Sequence, residues 1–488
     1  MTHVSSSISS PSFFIGDIAV KSLAWCLCLT ASLAVFLAPA LWNGFAIVFF
    51  DSGGYVGRVL EMTLGFGRSF FYGVFLWAAS LGWWSFFGPV SVQSLLTVWL
   101  VHLMLRCHGL PAGPLATTLI CAGLGFFTSV SWYASQLMPD LLLPLMVLGL
   151  WLFGYCWEKL GRGERIGLAL VLLLGLMSHM TSMALAIGLA GILTVAWFCK
   201  KIWLWRRLPL TPLPPAAIVI ASLVLMPLIH FLLFGKGGYT PGGPAFIFGR
   251  LVQDNIAQRW LAEHCPVQGI KLCDLKERLP NTGDDFLWNG SSPFMDIGGW
   301  SGEADGELSF LVKECIKSYP GATLWTSLVA TAEQMVMVAT GDGLDKFHGA
   351  ARGTFSNSIT PAVSLAFNAA RQQQEQITQP LFDAMNRVHI PIALLSTFGL
   401  LVCIGWGLYA KRQGLACLAG FIFFALIGNA FICGALSGPH DRYQSRIVWL
   451  APLVVVMAII EWWRIWDQTW EAGINPSMRS GIGLEDAR

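Results

Sequence analysis

The sequence predicts an all-α polytopic membrane protein with about ten transmembrane helices, interfacial helices and a large folded extracytoplasmic loop. Only 12% of the 488 residues are charged, which is about half the share in an ordinary globular domain. Hydrophobic residues make up 55% of the chain, and the mean hydropathy is +0.62. Several apolar stretches also approach the roughly 20 residues that cross a bilayer as a helix.

Ten apolar runs account for the predicted spans. We expect the first run to stay in place as a helix, because further spans follow it and no small-residue cleavage site does. The runs lie near 22–49, 88–105, 115–131, 141–156, 166–178, 183–198, 216–234, 389–409, 414–435 and 446–463.

The distribution of Lys and Arg predicts the orientation of these spans, because short loops rich in these residues stay in the cytoplasm. Both termini are then cytoplasmic, and four segments reach the outer face: 51–71, 132–140, 236–387 and 437–446. We expect these four segments to meet. The cations that fall in alternate, cytoplasmic connections are Arg106, Lys159, Arg162, Arg165, Lys200, Lys201, Arg206, Arg207, Lys411 and Arg412.

Three apolar stretches do not fit a simple span. Residues 71–87 carry three tryptophans and are expected to lie along the membrane interface. Residues 166–198 would form a helix of about 50 Å, so we divide them at 178–181 into a short hairpin. Residues 323–340 are expected to form an interfacial or buried helix, because a crossing there would break the charge rule.

The stretch 236–387 holds nearly half of all charged residues and is expected to fold in water as a domain of its own. It follows an N-terminal transmembrane module at 1–235. C-terminal transmembrane helices at 388–463 and a cytoplasmic tail at 464–488 come after it. Within the loop, Cys265 and Cys273 could close a nine-residue disulfide loop in an oxidising compartment.

Two acids lie where predicted spans meet the outer face. Asp51 is the first acid after the first span, and a charge at that boundary is costly unless it faces water or a polar cavity. Asp140 directly precedes an almost wholly apolar run. Each acid is also placed to begin a helix, so N-capping is the alternative to a chemical role.

Cations and other polar residues accompany these acids. Arg58 and Arg68 follow Asp51 and could bind a lipid phosphate, or merely contact ordinary lipid headgroups. The last outer segment suits an anionic substrate, and its alternative is a salt-bridged loop that locks two spans together. His179 and His230 lie within or beside apolar runs and are interpreted as core histidines. The candidate contacts in the last segment are His440, Asp441, Arg442, Tyr443 and Arg446.

This arrangement resembles the C superfamily of glycosyltransferases, polytopic enzymes that take a sugar from a polyprenyl-linked donor on the outer face. The corresponding features are Asp51 just after the first span, an interfacial helix after it, Asp140 near the second outer turn, and an aromatic-rich outer loop. The segment 440–446 also resembles the late arginine–tyrosine segment of these enzymes.

The resemblance implies an inverting transfer in which the first-loop carboxylate, Asp51, is the general base. Cations would offset charge on the departing polyprenyl phosphate, while Asp140 and His440 would orient the reactants. No cofactor is required, because phosphate is already a good leaving group. A divalent metal bridging Asp51 and Asp140 is an alternative that their spacing does not demonstrate. The implied phosphate contacts are Arg68, Arg442 and Arg446.

The implied partners are membrane lipid, a polyprenyl-phosphate-sugar donor and a lipid or glycan acceptor. Short connections and compact cytoplasmic loops favour a bacterial inner membrane as the location. A nucleic-acid partner is excluded, because the net charge is only +2 and the chain has no long basic block. Three other classes stay open: a polysaccharide polymerase or ligase, which would use the late arginines without Asp51, a lipid or polysaccharide transporter, and a noncatalytic envelope-assembly protein.

Overall fold

The computed structural model describes residues 11–202, 208–344 and 349–474. Across these ranges the chain is helical, with two isolated backbone bridges and no β-strand. Seven of the described helices are long and apolar enough to cross a membrane. The protein is therefore an all-helical, membrane-embedded chain. The predicted cytoplasmic cations Arg206 and Arg207 lie outside the described residues.

The first half of the chain packs around one central helix, α7, in which every residue from 142 to 154 is buried. A helix that is apolar on all sides is buried on all sides, which explains the uninterrupted apolar run. The helices of this half are α1 (Pro11–Asn43), α2 (Ser52–Leu60), α3 (Phe70–Ala79), α4 (Phe87–Cys107), α5 (Pro114–Phe127), α6 (Val130–Ala134), α7 (Leu142–Tyr155), α8 (Arg162–Ser178), α9 (Met180–Ile202) and α10 (Leu213–Phe234).

The middle of the chain forms shorter helices. They are α11 (Gly243–Gln253), α12 (Ile256–His264), α13 (Gly283–Trp288), α14 (Pro293–Asp296), α15 (Asp305–Ser318), α16 (Pro320–Val336), α17 (Gly349–Asn357) and α18 (Pro361–Ala369). The last four helices are α19 (Gln379–Tyr409), α20 (Gln413–Leu436), α21 (Asp441–Val448) and α22 (Leu450–Ile474). Of these four helices, α20 and α21 pack directly against α7.

The first span is shorter than the sequence predicts. Helix α1 ends at Asn43 rather than near residue 49, because Gly44 takes a φ of +81° and the Asn43 side chain donates to the Phe45 carbonyl oxygen at 2.8 Å. Residues 45–48 are apolar but lie buried in the protein. The prediction that the first helix continues to residue 49 is wrong. An apolar run in a sequence can lie either in lipid or in a protein core, and the run alone does not distinguish the two.

Seven of the ten predicted spans correspond to the long apolar helices α1, α4, α9, α10, α19, α20 and the α21–α22 segment. The runs at 115–131, 141–156 and 166–178 became α5, α7 and α8, with 14, 14 and 17 residues. These lengths fall below the roughly 20 residues of a typical span. Seven described helices therefore have the length and composition of a span, and the count of about ten stays a prediction.

The three stretches that did not fit simple spans each form separate helices. Helix α3 ends at Ala79 and is a separate helix from α4, which begins at Phe87. The helix break predicted inside 166–198 is confirmed, because α8 ends at Ser178 and α9 begins at Met180. Helix α16 packs closely on α20: a Cβ on Gly434 would lie 2.7 Å from the Ala330 carbonyl oxygen. A small residue at this contact lets the two backbones approach.

The polar stretch 236–387 divides between two kinds of packing. Helices α11 to α15 enclose a core of their own around Phe248, Phe286 and Leu308. Helices α17 and α18 instead pack Phe355 and Phe367 into the core of the N-terminal half. The boundary expected at 387 lies inside the continuous helix α19, and α22 continues the expected tail as helix to Ile474, beyond which residues are not described.

Candidate functional site

A short backbone pairing holds the two acidic segments side by side. The Ile47 amide donates to the Ser135 carbonyl oxygen at 2.9 Å, and the Leu137 amide donates to the Ile47 carbonyl oxygen at 2.9 Å. The Ser52 hydroxyl adds a bond to the Leu137 carbonyl oxygen at 3.0 Å. These bonds fix the loop after α1 against the turn before α7. They therefore place Asp51 and Asp140 in neighbouring segments.

Asp51 occupies the N-cap position of α2, but its side chain makes no capping bond. Its carboxylate instead forms an ion pair with Arg68, and the two side chains are 19% and 20% exposed. The Arg68 guanidinium carbon also lies 5.4 Å from the centre of the Trp288 ring. Asp51 thus faces a partly accessible, charged site, and the N-capping alternative does not describe its carboxylate.

Asp140 lies in the turn Pro139–Leu141 that leads into α7, and it is buried. Arg446 Nη1 lies 2.6 Å from Asp140 Oδ1, while Asp140 Oδ2 is buried without a hydrogen-bond partner in the structure. Arg446 Nη2 also bonds Asn429 Oδ1 at 3.3 Å. The pair is enclosed, so its charges interact strongly with their neighbours.

Arg442 differs from the other two arginines, because none of the carboxylates that the structure describes pairs with its guanidinium. The group lies over the Phe49 ring at 4.1 Å and beside the Tyr443 ring at 5.1 Å. Its Nη1 atom is buried without a hydrogen-bond partner. The charges of Asp140 and Asp51 both act on it. We call Asp51, Arg68, Asp140, Arg442 and Arg446 the charged cluster.

The other predicted contacts have different partners. Arg58 turns to Glu61, with Nη2 3.0 Å from Oε2, and to the Thr63 hydroxyl. His440 Nε2 lies 3.4 Å from Asp284 Oδ2, and this contact raises the pKa of His440 and lowers the pKa of Asp284.

Asp441 and Tyr443 complete the last predicted segment. Asp441 Oδ1 accepts a bond from the Ala339 amide at 2.8 Å. The Tyr443 ring lies 5.1 Å and 5.3 Å from the guanidinium carbons of Arg442 and Arg446. His440 and Asp441 therefore tie the segment 440–446 to neighbouring segments, while Arg442 and Arg446 lie in the charged cluster.

Sequence reasoning missed two residues at the cluster. Tyr55 is buried, the charges of Asp51 and Arg68 act on its hydroxyl, and burial raises its pKa. It lies four residues after Asp51, so helical spacing could have indicated it. His179 was interpreted as a core residue, yet the charges of Arg446 and Asp140 act on its ring. The helix break at 178–181 was the signal that could have singled it out.

Ion pairs, rather than metal-type ligand groups, organise the described residues at this site. Across 11–202, 208–344 and 349–474, no three His, Cys, Asp or Glu side chains form a group that could hold a metal ion. Farther away, Cys265 and Cys273 are joined by a disulfide in the unit formed by α11 to α15. His230 is a packed histidine: its Nδ1 lies 2.7 Å from the Gly238 carbonyl oxygen and its ring stacks on Phe71.

No known family model, curated protein or solved structure matches this chain.

Proposed function

We propose that the protein is an inverting glycosyltransferase that moves a sugar from a polyprenyl-phosphate-linked donor to an envelope lipid or glycan acceptor. The charged cluster is the proposed site of transfer. Its three arginines and two carboxylates give it a net positive formal charge, which favours an anionic ligand. Because these groups belong to an apolar helical protein, the fitting anion is one attached to a membrane lipid.

Arg442 carries this proposal. A guanidinium whose Nη1 atom is buried without a hydrogen-bond partner, and with which no described carboxylate pairs, is costly for the protein. A phosphate oxygen bound at Nη1 would remove that cost and form a strong charge-assisted hydrogen bond. Arg446 already has Asp140 as its partner, so Arg442 is the cation of the cluster best placed to receive a new anion.

Asp51 is the proposed general base. The acceptor hydroxyl oxygen attacks the anomeric carbon, the bond from that carbon to the phosphate oxygen breaks, and the hydroxyl proton passes to Asp51. In the structure Arg68 pairs with this carboxylate. A donor phosphate that draws Arg68 onto itself would free Asp51 when the substrate arrives. The reaction needs no cofactor.

The proposed location is a bacterial inner membrane, with several crossings and the charged cluster facing the outer side. The segment ends that we assign to that side carry the cluster, whereas Arg106, Lys159 and Arg412 are assigned to the cytoplasmic side. In this arrangement α11 to α15 form an extracytoplasmic unit above the site. The donor's polyprenyl chain would lie in the bilayer beside it.

Mass spectrometry of envelope glycolipids and polysaccharides tests the proposal. Three strains are compared: wild type, a deletion, and the deletion complemented with Asp51→Asn at a matched protein level. We expect one sugar to be missing from both mutants, with its lipid-linked donor accumulating. A wild-type profile in the Asp51→Asn strain, with a defect in the deletion, would instead favour a ligase or polymerase that uses the arginines alone, or a transporter.

A further inference from the structure

His179 is the single residue between α8 and α9, and its backbone is extended, with φ −152° and ψ 132°. The Thr181 amide donates a hydrogen bond to His179 Nδ1 at 3.2 Å. This bond satisfies one of the free amides at the start of α9, as an N-cap side chain does. The cap fixes the orientation of the imidazole ring.

The cap also fixes the position of the imidazole proton. Nδ1 accepts the Thr181 amide hydrogen, so the proton of the neutral ring is on Nε2. Burial lowers the pKa of His179 to about 4, which keeps the ring neutral near pH 7. The ring is half-buried, and none of the described residues accepts a hydrogen bond from its Nε2.

The helix break brings this ring to the charged cluster. The charges of Arg446, Asp140, Arg442 and Asp51 all act on it. The Ser69 hydroxyl, next in sequence to Arg68, bonds the Met177 carbonyl oxygen at 2.6 Å and ties the α8 end to the Arg68 segment. His179 therefore places a neutral ring with an N–H donor in the field of the charged cluster.

We propose that His179 Nε2–H donates a hydrogen bond to a phosphate oxygen of the lipid ligand held by Arg442. This inference rests on the proposed function and identifies a phosphate-binding residue for it. A neutral donor adds a directional bond without adding positive charge beside Arg442 and Arg446. The cap on Nδ1 keeps that donor oriented before the ligand binds, which lowers the entropic cost of binding.

Two substitutions separate the two ring nitrogens. His179→Asn keeps an acceptor near the Nδ1 position, and Asn is a good N-cap, but it has no donor at the Nε2 position. His179→Gln carries an amide N–H near the Nε2 position and gives up the cap. His179→Ala removes both. A residue that only caps α9 would be replaced well by Asn and poorly by Gln.

The measurement is the dissociation constant of polyprenyl phosphate for the purified full chain in detergent micelles, by native mass spectrometry, with phosphatidylglycerol as a second ligand. We expect His179→Asn to weaken polyprenyl phosphate binding about tenfold, and His179→Gln to stay within about threefold of wild type. Melting temperatures of all variants show whether they fold.

Each result has a distinct meaning. Wild-type affinity in a folded His179→Asn variant would overturn the inference while leaving the proposed function in place. Wild type could bind both lipids equally, with the affinity for both reduced in His179→Asn. That result would support His179 as a hydrogen-bond donor to phosphate and contradict the polyprenyl-specific function. Failure of wild type to bind either phosphate lipid would overturn both.

Discussion

Asp140 and Arg446 form an ion pair between the start of α7 and helix α21, with side chains that are 2% and 1% exposed. The residues are 306 positions apart in sequence. Their contact fixes the charged end of α21 against the buried helix α7. Because Arg442 is one helical turn before Arg446, the pair also sets where the unpaired guanidinium lies.

Replacing one partner of this ion pair should destabilise the protein more than replacing both partners. Asp140→Asn or Arg446→Gln leaves one buried charge uncompensated, at a cost of about 3–5 kcal/mol. The double variant leaves two neutral amides and should be more stable than either single variant. Unfolding of the four proteins in mixed detergent micelles measures this coupling. Additive losses would show that the two charges do not compensate each other.

Arg68 and Arg58 offer a matched comparison within one connection. Arg68→Gln should lower the transfer rate about a hundredfold, because its guanidinium is a proposed phosphate contact beside Asp51. Arg58→Gln should stay within about twofold of wild type, because its partners Glu61 and Thr63 belong to its own segment. Product formation by mass spectrometry compares them. Equal losses in both variants would contradict the assignment of Arg68.

The contact between His440 and Asp284 should respond to pH. Asp284 is the main cause that raises the pKa of His440 above 6.5; burial opposes that shift, Asp342 adds to it, and Arg442 opposes it. The stabilising effect is therefore full below pH 6.5 and is lost as pH rises through the raised pKa. On the acid side, the lowered pKa of Asp284 means that its contribution is present above 3.8 and is lost as pH falls through the lowered value.

Hydrogen exchange at α13 reports this contact, because Asp284 lies in that helix. After correction for intrinsic rates, we expect protection of α13 to fall as pH rises above 6.5 through the raised pKa of His440. His440→Asn should remove that pH dependence and give low protection throughout. An unchanged pH profile in His440→Asn would assign the titration to another group.

The disulfide between Cys265 and Cys273 should stabilise the unit formed by α11 to α15. It closes a short loop, with a sequence separation of 8, so its loss should cost the unit roughly 2–3 kcal/mol. Thiol labelling of the unreduced protein should leave both cysteines unmodified. Cys265→Ser with Cys273→Ser should increase hydrogen exchange in α12 and not in α7. Labelling of either cysteine without reductant would contradict the bond.

Helix positions could largely be predicted from the sequence, because apolar runs of sufficient length form helices in either lipid or a protein core. The sequence could not predict whether each helix lies in lipid or in a protein core. The run 45–48 and helix α7 are as apolar as a span, yet both are buried in protein. An apolar composition indicates that a segment avoids water, but it does not indicate whether lipid or other side chains surround that segment.

At the site, the sequence located the acids and arginines, but it did not show how they pair. Asp140 and Arg446 meet through packing between distant helices, which no local pattern encodes. Arg58 and Arg68 are the same residue type in one segment, and only the fold separates their partners. His179 was hidden because a histidine in an apolar run usually packs in a core, whereas here it interrupts two helices.

Binding of polyprenyl phosphate to Arg442→Gln tests the central claim most directly, because that claim depends on a guanidinium whose buried Nη1 atom has no hydrogen-bond partner. The control is Arg278→Gln, whose exposed guanidinium pairs with Asp296 in the unit formed by α11 to α15. The account predicts that Arg442→Gln weakens binding about 10- to 100-fold and that Arg278→Gln binds as wild type does. Wild-type affinity in a folded Arg442→Gln protein would contradict it.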